Sequence, residues 1–67
     1  MTKLQERRAA AGLSRPALAK AAGVNVRTIE SYEQGLRKVR RMALEDALKI
    51  AAALNCSVEE LIDNNLM

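Results

Sequence analysis

Three glycines, Gly12, Gly23 and Gly35, cut the first half of this chain into short segments, and each segment opens on a residue suited to start a helix. Thr2 caps a first helix running to about Ala11. Ser14 caps a second, with Pro16 in its first turn, where no amide donor is needed. Asn25 caps a third, running to about Gln34. A Ser, Thr or Asn side chain accepts from first-turn amides that have no partner within the helix. A glycine at the far end closes the helix in a left-handed conformation that other residues avoid. Punctuation this dense confines the fold to short helices joined by tight turns.

The remaining segments extend the pattern. Residues 36–41, Leu-Arg-Lys-Val-Arg-Arg, read as a basic loop. A fourth helix spans roughly Met42 or Ala43 to Leu54, with Leu44, Ala47, Ile50, Ala51 and Leu54 near one face and Leu48 at its edge. Ser57 and Glu60 make a capping box that opens a short fifth helix, carrying Val58, Leu61 and Ile62 inward. The expectation is an all-α, compact five-helix bundle forming one domain over residues 1–67, since so short a chain cannot divide its apolar residues between two cores. Its core is aliphatic, because Tyr32 is the only aromatic side chain.

Several function classes drop out. With no histidine, one cysteine and no carboxylate pair in an apolar setting, the sequence offers neither a catalytic constellation nor a metal site, and no cofactor is expected. Cys56 has no partner for an internal disulfide, which suits a reducing cytoplasm, and it reads as a small buried hydrophobe. No apolar run approaches the roughly 20 residues of a membrane span, and no signal peptide's apolar segment opens the chain. A cytoplasmic location is expected.

Charge is distributed unevenly. The net charge is only +3, yet residues 1–41 carry ten basic side chains against Glu6, Glu30 and Glu33, while residues 42–67 carry Lys49 against five acids. A basic half joined to an acidic half suits a polyanion bound on one side, although an ordinary solvated surface is the alternative. Residues 14–35 bear on that choice. Only Gly23, Val24 and Asn25 separate two helices whose facing sides hold Leu18, Ala22, Val24, Ile29 and Tyr32. The spacing Ala19–Gly23–Ile29 supplies a small residue, a turn glycine and an aliphatic anchor, as a DNA-reading helix-turn-helix requires. A plain helical bundle would also accept a glycine turn, but it would cover the outer face of the third helix with Glu and Lys. Here that face carries Val26, Arg27, Thr28, Glu30 and Ser31.

The run Gly12-Leu13-Ser14, Leu18-Ala19, Gly23-Val24, Thr28-Ile29, Tyr32-Glu33-Gln34-Gly35, then Lys49-Ile50-Ala51 and Ala53-Leu54, resembles the Cro/C1-type helix-turn-helix family over about residues 3 to 62. The resemblance implies a lambda repressor-like DNA-binding fold. It makes 26–34 the recognition helix, with Val26, Arg27 and Ser31 at base-reading positions and Asn25 and Thr28 beside them at backbone-contacting ones. Arg15 stands where the family generally has a phosphate-binding glutamine. Arg8 and Glu33 match a partly buried ion pair tying the first helix to the third; taken alone, each is a solvated charge. Two departures stand out: Arg15-Pro16 replaces the usual Gln-Glu, and the segment after Gly35 is longer than in the shortest family versions.

The implied mechanism divides the labour. Arg15, Arg37, Lys38, Arg40 and Arg41 neutralise phosphates on double-stranded DNA. Arg27 forks onto guanine, Ser31 donates or accepts, and Val26 packs against a thymine methyl. A homodimer on DNA is expected, with Leu61, Ile62, Leu66 and Met67 packing across its two-fold axis. The rival function is a protein-interaction module on the same fold, an antitoxin or anti-repressor type with a protein partner.

Overall fold

A computed structural model describes residues 2–62. Four α-helices stand in chain order: α1 (Lys3–Ala10), α2 (Arg15–Ala22), α3 (Val26–Glu33) and α4 (Leu44–Ala53). Two 3-10 turns, Val39–Arg41 and Val58–Leu61, follow α3 and α4. The expected fifth helix is therefore a single 3-10 turn among the described residues. Ser57 and Glu60 do form the capping box, with the Ser57 amide donating to Glu60 Oε1 at 2.9 Å. The backbone of Ile62 is already extended, which ends the turn at Leu61. The loop 36–41 likewise contains a 3-10 turn rather than irregular chain alone.

The caps are where the side-chain chemistry puts them. Thr2 Oγ1 accepts from the Gln5 amide, Ser14 Oγ from the Ala17 amide and Asn25 Oδ1 from the Arg27 amide at 2.8 Å. Gly23 takes φ +72°, and the Val24 amide then returns to the Ala19 carbonyl at 3.0 Å, turning the chain sharply from α2 into α3. A Cβ built on Gly23 would meet nothing within 4 Å, so conformation rather than crowding calls for glycine there. Asn55 closes α4 with φ 54°, a left-handed residue that asparagine tolerates better than most.

α2 packs on both α3 and α4, while α1 lies against α3 and the Val58–Leu61 turn. Leu4, Leu18, Ile29, Ile50 and Leu61 are fully buried, with Ala19, Ala22, Tyr32, Met42, Ala47, Ala51 and Leu54 completing the core. Small residues on α2 let it sit between two neighbours. Val24, Val58 and Cys56 are half-buried and rest against this core rather than inside it. Leu44 departs from its expected inward position and is 68% exposed. It stands two turns before buried Ala51 on nearly the same line, at the open end of α4. Leu61, expected at a two-fold axis, is consumed by the core. Leu66 and Met67 lie outside the described residues.

Candidate nucleic-acid interface

The helix pair α2–α3 is held from beneath by the core and braced at one corner by charge. Glu33, the last residue of α3, has its side chain fully out of solvent. Arg8 of α1 grips it with two nitrogens: Nε donates to Oε2 at 2.6 Å and a terminal nitrogen to Oε1 at 3.1 Å. Arg15, at the start of α2, donates from Nε to Oε1 at 2.8 Å. The second terminal nitrogen of Arg8 donates to the Leu13 carbonyl at 2.7 Å, tying in the α1–α2 connection. Burial by itself would push the Glu33 carboxyl up, but hydrogen bonds from Arg8 and Arg15, with their charges, outweigh it and hold the carboxyl below its ordinary value. The same carboxylate raises the Arg8 guanidinium. One anion thus fixes the end of α3 to both preceding helices.

This brace changes the position of Arg15. The side chain expected at a phosphate is tethered inward by its Nε, yet it keeps about a third of its surface exposed. Its partner lies 18 positions along the chain, so local sequence pattern gives no sign of the contact.

With its end fixed, α3 turns its other side to solvent. Arg27 is exposed, and Thr28, Glu30 and Ser31 are half-exposed. Val26 is half-buried, resting against the core with part of its surface open. Asn25 is exposed but its side chain is occupied as the helix cap. Val26, Arg27 and Ser31 therefore lie on one helix with no described segment covering the Arg27 side chain. That arrangement can present a forked cation and a hydroxyl to base edges.

Beyond α3, Gly35 (φ +80°) ends the helix, and the Leu36 and Arg37 amides both donate to the Ser31 carbonyl. This turn carries the Arg37 guanidinium over the Tyr32 ring, 5.3 Å from its centroid, a cation–π contact that sequence reading missed. Thr2, Tyr32, Gly35, Arg37, Lys38 and Arg40 then line an open cleft of roughly 300 Å³. Sequence gave no sign that Thr2, near the chain's beginning, borders the basic loop. Among the described residues, Arg27, Lys38, Arg40 and Arg41 belong to no ion pair, whereas Arg7 pairs with Glu60, and Arg8 and Arg15 with Glu33. These four cations lie on α3 and the turn that follows it, whereas Lys20 on α2 and Lys49 on α4 stand outside any ion pair elsewhere on the described surface.

A family model described as the Cro/C1-type HTH DNA-binding domain matches residues 3–65. The chain belongs to the Cro/C1-type helix-turn-helix family. Comparison with curated proteins and with solved structures gives no match in either case. The family is a DNA-binding one of a non-enzymatic regulator type, and α2 and α3, joined by the tight turn at Gly23, are the helix pair within the matched residues that fits its helix-turn-helix. Cys56 follows α4 and is half-buried. Burial and nearby Glu60 push its thiol up, against the opposing charge of Arg7, which disfavours the reactive thiolate. Among the described residues no helix is long and apolar enough to cross a membrane, and no group of side chains could hold a metal ion.

Proposed function

We propose that this chain is a small cytoplasmic transcriptional regulator, a repressor, that binds double-stranded DNA sequence-specifically as a homodimer. The observation that carries the reading is the outer face of α3: an exposed Arg27 on a helix whose far end is locked by a buried carboxylate. Precise placement matters because base readout depends on a side chain reaching groove depth in one orientation. In this reading Arg27 forks onto guanine O6 and N7, Ser31 exchanges a hydrogen bond with a neighbouring base, and the open side of Val26 meets a thymine methyl. Asn25 and Thr28 flank them at the sugar–phosphate backbone.

Affinity comes from the surrounding cations. Lys38, Arg40 and Arg41 neutralise phosphates, and the cleft beneath Arg37 receives one of them. Arg15 contributes through its remaining exposed surface at the start of α2, where backbone amides and the helix dipole also favour an anion. In a dimer two copies of α3 would enter successive major grooves about 34 Å apart.

A salt titration of binding to random-sequence duplex tests this. Wild type should lose affinity linearly on a log–log plot, and Lys38→Ala should weaken binding to every sequence alike and reduce the slope by about one. Negligible binding even at low salt would instead favour a protein-interaction module, the antitoxin or anti-repressor reading.

A further inference from the structure

Of the three large hydrophobic side chains left exposed among the described residues, Leu36 (75%) stands alone in the loop after α3 and the other two share α4. Leu44 is 68% exposed and Leu48 54%. Four residues apart, they stand on one face of the helix. Beside Leu44 opens a mostly apolar groove of roughly 180 Å³, lined by Val39, Met42, Ala47, Val58, Leu61 and Ile62, with Arg40 at its border. On the solvent side the two leucines are flanked by exposed Glu45 and Lys49, again one turn apart and opposite in sign. Among the described residues neither of these charges belongs to an ion pair.

The order along α4 is apolar then acidic, and one turn later apolar then basic. Such a face is complementary to itself when turned end over end. In an isologous contact, where residue i meets j and j meets i, that property is what the interface requires. We infer that α4 is an interface between two copies of this chain, crossing antiparallel about a two-fold axis. Leu44 then meets the partner's Leu48, and Glu45 faces the partner's Lys49, twice over. The groove next to Leu44 receives the tip of the apposed helix. A foreign protein would need no such symmetry in the charges.

The inference rests on the reading of the chain as a DNA-binding homodimer, and it moves the interface from Leu61, which is buried, to α4. A patch bounded by one short helix is at the small end of specific interfaces, below about 1,200 Å². The dimer is therefore weak in solution and is reinforced on DNA, where adjacent half-sites raise the effective concentration.

Sedimentation equilibrium of the whole chain, without DNA, from about 10 µM to about 1 mM covers the range of weak association. Wild type should pass from monomer to dimer, and Leu48→Asp should remain monomeric. Glu45→Lys and Lys49→Glu should each weaken association about tenfold, and the chain carrying both should recover it. Thermal melts followed by circular dichroism check that these exposed substitutions leave the fold intact. A monomer at every concentration, a dimer indifferent to Leu48→Asp, or no recovery in the double variant would each overturn the interface. So would a monomeric chain whose melting point falls when residues 63–67 are removed, because the chain's own end would then occupy the groove. Random-duplex binding by Leu48→Asp separates the two ideas. Lost association with a retained salt slope supports the interface and leaves DNA binding standing, whereas a monomeric wild type that still binds DNA sinks the interface alone.

Discussion

At the scale of single residues, Glu33 has the largest leverage on this molecule. Taking a carboxylate out of water is costly, and here two guanidiniums compensate it with three hydrogen bonds. Removing the acid leaves Arg8 facing a buried site with no counter-charge, so Glu33→Ala should cost about 3 to 5 kcal/mol. A domain this small holds a total of that order, so the variant should be largely unfolded or close to it. The depressed carboxyl also sets a pH dependence. Its stabilisation is complete above the ordinary carboxylate value of about 4.3 and drains away as pH falls through the lower value of the folded state. Urea unfolding of wild type and Glu33→Gln at about pH 7 and about pH 3 should show a stability gap that narrows in acid. An equal gap at both values would mean that the brace does not depend on the carboxylate charge. Arg8 and Glu33 were legible in sequence only through the family resemblance, and Arg15 as a third member was not, because the contact depends on how α2 meets α3 in space.

At the scale of elements, the sharpest constraint is the left-handed turn at Gly23. Because nothing approaches a Cβ there, the cost of substitution should be purely conformational. Gly23→Ala should lose about 1 to 2 kcal/mol, and Gly23→Asn measurably less, since asparagine visits that region more readily. Denaturant unfolding distinguishes them; equal losses, or none, would show that the turn tolerates a different backbone path. The four α-helices were readable because their signals are local: for α1, α2 and α3 a capping side chain at one end and a glycine at the other, and for α4, which has no side-chain cap, an aliphatic stripe. The fifth was not. A capping box announces where a helix begins but says nothing of its length, and after Leu61 the extended Ile62 ends the turn. Periodicity likewise placed Leu44 on the inner stripe of α4, but an angle around an axis does not reveal that the first turn overhangs an open groove.

At the scale of the whole molecule, the sequence's basic half resolves into two populations. Some cations are structural, with Arg8 and Arg15 committed to Glu33 and Arg7 to Glu60. Others are unpaired among the described residues: Arg27, Lys38, Arg40 and Arg41 on α3 or the turn after it, and Lys20 on α2. Counting charges along the chain cannot make that division, because the acids that neutralise Arg7, Arg8 and Arg15 are distant in sequence. In the proposed reading, that division concentrates a modest net charge into a local face suited to a polyanion. The central claim is that α3 reads the major groove through Arg27, and methylation of guanine N7, which lies in that groove, probes it directly. On a duplex selected from random sequences, wild type should shield particular guanines from methylation. Arg27→Ala should bind about 1 to 3 kcal/mol more weakly and leave one of those guanines unshielded in each half-site. A bound duplex with every guanine N7 open, or a pattern unchanged by Arg27→Ala, would contradict the account.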